Sequence, residues 1–121
     1  MTFMSNIKTD MSLLEEDAFA LTQAALEISK AHEANDENSL AAALDSNLQL
    51  WVGIRTIVDG ADNPLPVEVK ENLSRLSYFV AQKTFEMQDG ANDKTLEALA
   101  NTNLQIAEGL LENKSAGPHP A

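Results

Sequence analysis

The sequence has no cysteine, few aromatic residues and little positive charge, and each shortage excludes a class of protein. Without cysteine there is no disulfide, no thiolate metal site and no cysteine nucleophile. Aromatic residues make up only 5% of the chain, so aliphatic residues and alanine must fill the core. No apolar run approaches the roughly 20 residues that a membrane-spanning helix requires. These shortages favour a small helical domain with an aliphatic core.

The charge is strongly acidic, with 19 Asp and Glu against 8 Lys and Arg and a formal net charge of −11. Nucleic-acid binding needs clustered basic residues to neutralise phosphates, and the eight basic residues are scattered. The same charge disfavours anionic membrane surfaces, and it suits either a basic partner or simple solubility. The N-terminus has no apolar run long enough for a signal peptide. We therefore expect a cytoplasmic protein that binds neither nucleic acid directly nor membrane.

Apolar residues recur at α-helical spacing in four segments, which predicts an all-α, single-domain bundle of about four helices. The central segment contains the only tryptophan and should form the most buried helix. Its apolar stripe consists of Leu40, Leu44, Leu48, Trp51 and Val58. The four predicted helices span residues 13–31, 40–58, 66–87 and 92–112.

Both ends of the chain look different from the helical segments. Residues 1–10 contain only isolated apolar residues and are predicted to form a loose arm. Ser12 and Glu15 make an S-x-x-E capping box, which predicts the start of the first helix. Residues 113–121 contain two prolines and one glycine and are predicted to be a disordered tail. The sequence thus predicts one helical bundle domain over residues 1–112 with disordered ends.

No set of residues in the sequence suits catalysis or metal binding. Histidine, the usual base beside a nucleophile, occurs only at His32 and His119. Carboxylate-bridged di-metal bundles use Glu-x-x-His pairs, but Ser29 stands three residues before His32. The five glycines are isolated and do not form a phosphate-binding loop. We therefore predict a protein that is not an enzyme and that has no metal or other cofactor.

Two asparagines lie at or beside apolar stripes. Asn103 interrupts the stripe of the fourth helix, and Asn47 precedes Trp51 by four residues. A buried asparagine must be hydrogen-bonded and can fix the register of neighbouring helices, so we expect Asn103 to bond across the bundle. Replacing Asn103 with leucine would then fill the stripe and raise stability while loosening register. The alternative is that the asparagines bond to a bound partner helix, and Trp51 has the same choice between core and partner.

The third helix has more apolar surface than one stripe can hold. Tyr78, Phe79 and Phe85 lie at or beyond the margin of its aliphatic stripe. Surplus apolar surface on a helix is the best intrinsic indication of a binding groove, although a subunit interface would look the same. The candidate partner-binding residues are Tyr78, Phe79, Phe85, Asn47, Trp51 and Asn103.

Four segments resemble, in order and spacing, the FlaF family of bacterial flagellar biosynthesis regulators. The central LAAALDSNLQLW, with Asn47 four residues before Trp51, resembles the N-x-x-LW region of that family. The turn NPLP and the segments ENLSRLSYFVAQKT and LANTNLQIAEGL resemble its later helices. The resemblance covers about residues 39–111.

The resemblance implies a small, non-enzymatic regulator that binds flagellin in a chaperone-like way and controls its synthesis or export. The implied partners are flagellin and a second regulator, FlbT, and the protein is expected to be a monomer or a homodimer. The alternative from another class is a homodimeric helical structural or adaptor protein with no flagellin role.

Overall fold

The fold consists of four α-helices and one short 3₁₀ helix. The computed structural model describes residues 2–60 and 65–116, with side chains described for residues 16–60 and 65–112. The predicted all-α fold is confirmed, since no strand occurs within the described ranges. The elements are α1 (Thr2–Glu33), α2 (Glu37–Val58), α3 (Val67–Glu86), the 3₁₀ helix Met87–Asp89 and α4 (Asp93–Ala116).

The helices form a bundle in which α1 is the central partner. It packs most extensively against α4 and also against α2, while α2 packs against α3. By contrast, α3 makes only sparse contact with α4. His32 at the end of α1 lies 2.9 Å from Asp93 at the start of α4, so these two helices run antiparallel. The outer side of the α2–α3 pair is therefore opposite to the outer side of the α1–α4 pair.

The core follows the predicted stripe of α2, supplemented by small residues from α1. Leu44, Trp51 and Val58 are buried, and Trp51 has no exposed surface. Leu40 and Leu48 are partly buried at the margin. Alanine has no long side chain to hold a neighbour away, so the alanine-rich face of α1 allows close approach of α2 and α4. Among the side chains of α1 that the structure describes, those of residues 16–33, the buried ones are Ala18, Leu21, Ala24, Ala25, Ile28 and Ala31.

A compact turn joins α1 to α2. The Asp36 N–H donates to the Ala31 carbonyl at 3.1 Å and the Asn35 N–H donates to the His32 carbonyl at 3.0 Å, the pattern of a Schellman motif. Asn35 has a φ of 55°, a left-handed conformation that asparagine tolerates better than most residues. Asp36 then caps α2 by accepting the Ser39 N–H at 3.1 Å. That backbone hydrogen bond, together with the one from the Ser39 hydroxyl, holds the pKa of Asp36 below its usual value.

The two outer helices, α1 and α4, are longer than the sequence predicts. The first helix begins at Thr2 and not near residue 13, so the backbone of the expected loose arm is helical and Ser12 and Glu15 lie inside α1. The side chains of residues 1–15 lie outside the described part of the structure. No glycine or proline interrupts residues 2–33, which leaves nothing to stop the helix. At the other end α4 continues to Ala116, and the rest of the predicted tail, residues 117–121, lies outside the described residues.

Candidate functional site

A set of side-chain hydrogen bonds crosses the interior of the bundle at one level. Asn103 of α4 accepts the indole N–H of Trp51 from α2 at 2.9 Å. Its amide group donates to Oδ1 of Asn47 at 2.7 Å and to the backbone carbonyl of Leu21 in α1 at 3.1 Å. The three side chains are fully buried. The predicted burial of Asn103 and its hydrogen bonding across the bundle are confirmed.

The donor and acceptor types fix the orientation of both amides. An indole N–H can only donate, so the Trp51 ring must face Oδ1 of Asn103, and Nδ2 of Asn103 must face Asn47. Asn47 is then held with its oxygen toward Asn103, and its own Nδ2 finds no acceptor among the described residues. A shift of α2 or α4 by one residue would break these bonds. In the interior of the bundle, a polar group left unpaired lowers the stability of the fold. The arrangement supports register control as the role of the two asparagines.

The third helix is tied to this network only weakly. The hydroxyl of Ser77 in α3 donates to the backbone carbonyl of Trp51 at 3.4 Å, which is long for such a bond. Ser77 is buried and was missed as a site residue by the sequence reasoning. Its spacing could have revealed it, because it continues the stripe of Leu73 and Val80 at steps of four and three. The network thus holds α1, α2 and α4 together more firmly than it holds α3.

This geometry bears on two of the expectations drawn from the sequence. Asn47, Trp51 and Asn103 have no surface to offer a partner while the bundle is closed, so the core interpretation is the better supported one for all three. Asn103→Leu would leave the indole N–H of Trp51 and the amide of Asn47 without their hydrogen bonds. A gain in stability from that substitution is no longer expected.

Two of the three candidate aromatics share an exposed face. Tyr78 and Phe85 are 61% and 71% exposed, and their spacing of seven residues places them on the same side of α3. The Arg55 guanidinium of α2 lies 4.8 Å from the centre of the Tyr78 ring, a cation–π contact that ties this side of α3 to α2. Val52, three residues before Arg55, is also exposed. We call Val52, Arg55, Tyr78 and Phe85 the α2–α3 face.

Phe79 does not belong to the α2–α3 face. It is half-buried and packs against the core, and it projects from α3 about 100° around the axis from Tyr78. The ammonium group of Lys83 lies 5.9 Å from the centre of its ring. The predicted groove with all three aromatics is therefore not one continuous surface.

The structure also bears on metal binding and on membrane insertion. In the part of the chain that the structure describes, no three His, Asp or Glu side chains are grouped so that they could hold a metal ion. Over the same residues, no helix is both long and apolar enough to cross a membrane.

Comparison with known proteins identifies the family. The model of the family described as "Flagellar protein FlaF" matches residues 4–110, a stretch that includes the buried network and the α2–α3 face. No curated protein and no solved structure shows significant similarity to the chain. Because the family model spans most of the sequence, the chain belongs to the FlaF family of flagellar proteins.

Proposed function

We propose that this protein binds flagellin in the cytoplasm and so regulates flagellin synthesis or export, as a chaperone-like regulator without enzymatic activity. Membership in a flagellar family supports the connection to the flagellum. The observation that carries the proposal is the exposure of Tyr78 and Phe85 on a helix whose core stripe is already filled. Exposed aromatics grouped on one side of a soluble domain indicate a protein-binding surface.

The chemistry of the α2–α3 face suits an amphipathic helix. The terminal segments of flagellin are amphipathic helices that stay unpaired until the filament assembles, so their apolar sides need cover in the cytoplasm. Tyr78 and Phe85 offer apolar area at low cost in side-chain entropy, and aromatic residues are frequent hot spots of binding. A helix lying along α3 could contact both rings, which are two turns apart.

Acidic residues stand at the ends of the same face. Asp45 lies seven residues before Val52 on α2, and Asp59 lies seven residues after it at the C-cap of that helix. Glu71 lies seven residues before Tyr78 on α3. All three carboxylates are exposed. Rim charges that meet opposite charges on a partner raise the association rate and its salt sensitivity more than they raise affinity. Where a flagellin helix presents Lys or Arg to this rim, added salt should slow its association and change the dissociation rate little.

The proposal can be tested with purified flagellin monomers and titration calorimetry. Tyr78→Ala and Phe85→Ala should each weaken binding by about 2 kcal/mol, roughly thirtyfold, if these residues are hot spots. Phe19→Ala is the matched control, because Phe19 is 67% exposed but lies on α1. Circular dichroism should show the same helix content for all three variants. Normal flagellin binding by both α3 variants would contradict the proposal.

FlbT is the second proposed partner, and a homodimer is the competing explanation of the α2–α3 face. The same variants titrated with FlbT show whether that regulator uses this face. Sedimentation over a range of protein concentrations tests the homodimer. If the mass doubles and Phe85→Ala restores the monomer, the exposed aromatics serve self-association. The chain would then be a structural or adaptor protein with no need of flagellin.

A further inference from the structure

A second group of exposed apolar residues lies on the other side of the bundle. Phe19 and Leu26 are seven residues apart on α1, and Leu104 and Leu111 are seven residues apart on α4. Their exposed fractions lie between 41% and 67%, although each helix already contributes a filled stripe to the core. We call these four residues the α1–α4 face.

The pairing of the two helices brings these residues to one side. Asn103 bonds to the Leu21 carbonyl, so Leu104 lies near the same level of the bundle as Phe19. Leu104 also lines a cleft of about 360 Å³ between α1 and α4, together with Ser29 and Glu33 of α1. Leu104 therefore borders this cleft, and the other three residues extend the exposed apolar surface along the same two helices.

The cleft is acidic at the end where α1 stops and α4 starts. Glu33, Asp93 and Glu97 line the cleft there, and the only basic residue among those that line it is His32. His32 is engaged with Asp93 at 2.9 Å. Neither Glu33 nor Glu97 takes part in an ion pair within the described side chains. Two carboxylates beside an exposed apolar surface are thus available to a basic partner.

The charges argue against a second copy of the chain on this face. The protein carries a net charge of −11, so self-association here would bring the same carboxylates together. A basic amphipathic helix matches both properties, since its apolar stripe would cover the four residues and its Lys or Arg would meet Glu33 and Glu97. The stretch of α4 from Glu97 to Leu111 is about 21 Å long, which corresponds to about 14 helical residues of the partner.

We propose that the α1–α4 face is a docking surface for a basic amphipathic helix of a partner protein. This face is opposite to the α2–α3 face, so it is separate from the surface proposed for flagellin and does not depend on that proposal. The chain thereby has two distinct binding sides. Phe19 and Leu104 supply the apolar contacts at its centre, and Glu33 and Glu97 set the preference for positive charge.

The probe for this proposal is a pair of synthetic helical peptides of about 18 residues with the same leucine stripe. One peptide has lysines beside the stripe and the other has glutamates. The full-length protein should bind the lysine peptide, more weakly as salt is added, and should not bind the glutamate peptide. Amide chemical shifts in NMR spectra should change around Phe19 and Leu104. Equal binding of both peptides, no binding of the lysine peptide, or shifts confined to α2 and α3 would overturn the proposal.

Matched variants test the assignment to the α1–α4 face. Phe19→Ala and Leu104→Ala should each reduce affinity for the lysine peptide about tenfold, the scale of an interface residue that matters. The double variant Glu33→Gln with Glu97→Gln should weaken binding and flatten its salt dependence. Val67→Ala, which shortens an exposed apolar side chain outside both named faces, is the control and should leave peptide affinity unchanged. A loss of affinity in Val67→Ala that equals the loss in Phe19→Ala would refute the assignment to α1 and α4. A concentration-dependent dimer that Phe19→Ala dissociates would refute it also, in favour of a second copy.

Discussion

The buried network predicts that its two asparagines respond unequally to the same substitution. Leucine branches at the same carbon as asparagine but is larger, so Asn103→Leu and Asn47→Leu remove a polar amide and add a similar volume at both buried sites. Asn103 uses both ends of its amide, toward Trp51, Asn47 and the Leu21 carbonyl. Asn47 makes one hydrogen bond and has an unpaired Nδ2. The cost of each change depends on which neighbours lose their partners.

The magnitudes can be worked out from these contacts. Asn103→Leu removes the partners of two buried groups, the Trp51 indole N–H and the Asn47 oxygen, at about 1–3 kcal/mol each. Burial of the leucine side chain returns about 2 kcal/mol, so a net loss of about 0–4 kcal/mol is expected, to which crowding by the larger side chain adds. Asn47→Leu removes a donor that has no partner among the described residues, and Asn103 Nδ2 keeps the Leu21 carbonyl. We therefore expect Asn47→Leu to lower the free energy of unfolding less than Asn103→Leu does.

Urea unfolding, followed by circular dichroism and by Trp51 fluorescence, measures the free energy of unfolding of both variants. The comparison is valid if this free energy depends on urea concentration with the same slope in each variant. The double variant is the sharpest test. Adding Asn47→Leu to Asn103→Leu should regain about 1–3 kcal/mol, because the second change removes an amide that the first one left unpaired. The reasoning fails if Asn103→Leu is more stable than the native sequence, or if Asn47→Leu costs as much as Asn103→Leu.

Three further predictions concern single residues. Trp51→Ala should lower the free energy of unfolding by about 3–5 kcal/mol, since it empties the centre of the core. In the native protein, Trp51 fluorescence should be blue-shifted and poorly quenched. A red-shifted, readily quenched spectrum would contradict the burial of Trp51. Burial, and then the charge of Glu16, raises the pKa of Asp17, so the folded state binds this proton more tightly than the unfolded state does. The free energy of unfolding therefore falls as the pH rises from the usual aspartate pKa through the raised one. Asp17→Asn should therefore be more stable than the native protein at pH 7 by thermal unfolding, and the difference should vanish as the pH falls below the pKa of an unperturbed aspartate. The pKa of Asp36 is lowered, so its ionised form stabilises the fold, which is the opposite sign to Asp17. The difference in unfolding free energy between the native protein and Asp36→Ala should therefore shrink as the solution becomes more acidic than the usual carboxylate range. A difference that grows on acidification would count against the role of Asp36 as a cap.

The helices and their core stripes could be predicted because periodicity depends only on spacing. Asn103 could be singled out for the same reason, since a polar residue in an apolar stripe must find a partner inside the bundle. The start of α1 was missed because helix ends depend on tertiary packing as well as on local signals. Ser12 and Glu15 have the pattern of a capping box, but the apolar residues Met4, Ile7 and Met11 continue the spacing of α1 before them.

The exposed faces could be predicted only in part. The sequence shows that Tyr78, Phe79 and Phe85 exceed one stripe, but which of them faces a neighbour depends on where α2 and α4 lie. The structure turns Tyr78 toward Arg55 and packs Phe79 against the core. Phe19 could be read as an edge residue of α1, yet it is mostly exposed. Side-chain spacing within one helix cannot show which side of that helix its neighbours leave uncovered.

The N-x-x-LW segment of the family resemblance contains none of the residues proposed to contact flagellin. In the N-x-x-LW segment Asn47 and Trp51 are interior, Leu50 packs against the core, and Asn103 bonds to them from α4. Such a pattern is constrained by hydrogen-bond geometry, so it reports the shared fold and not the binding surface. Variants of the network should therefore impair flagellin binding only in proportion to the folded fraction that they lose. Variants of Tyr78 and Phe85 should impair it at full stability, and this contrast separates a residue that builds the bundle from one that binds a partner.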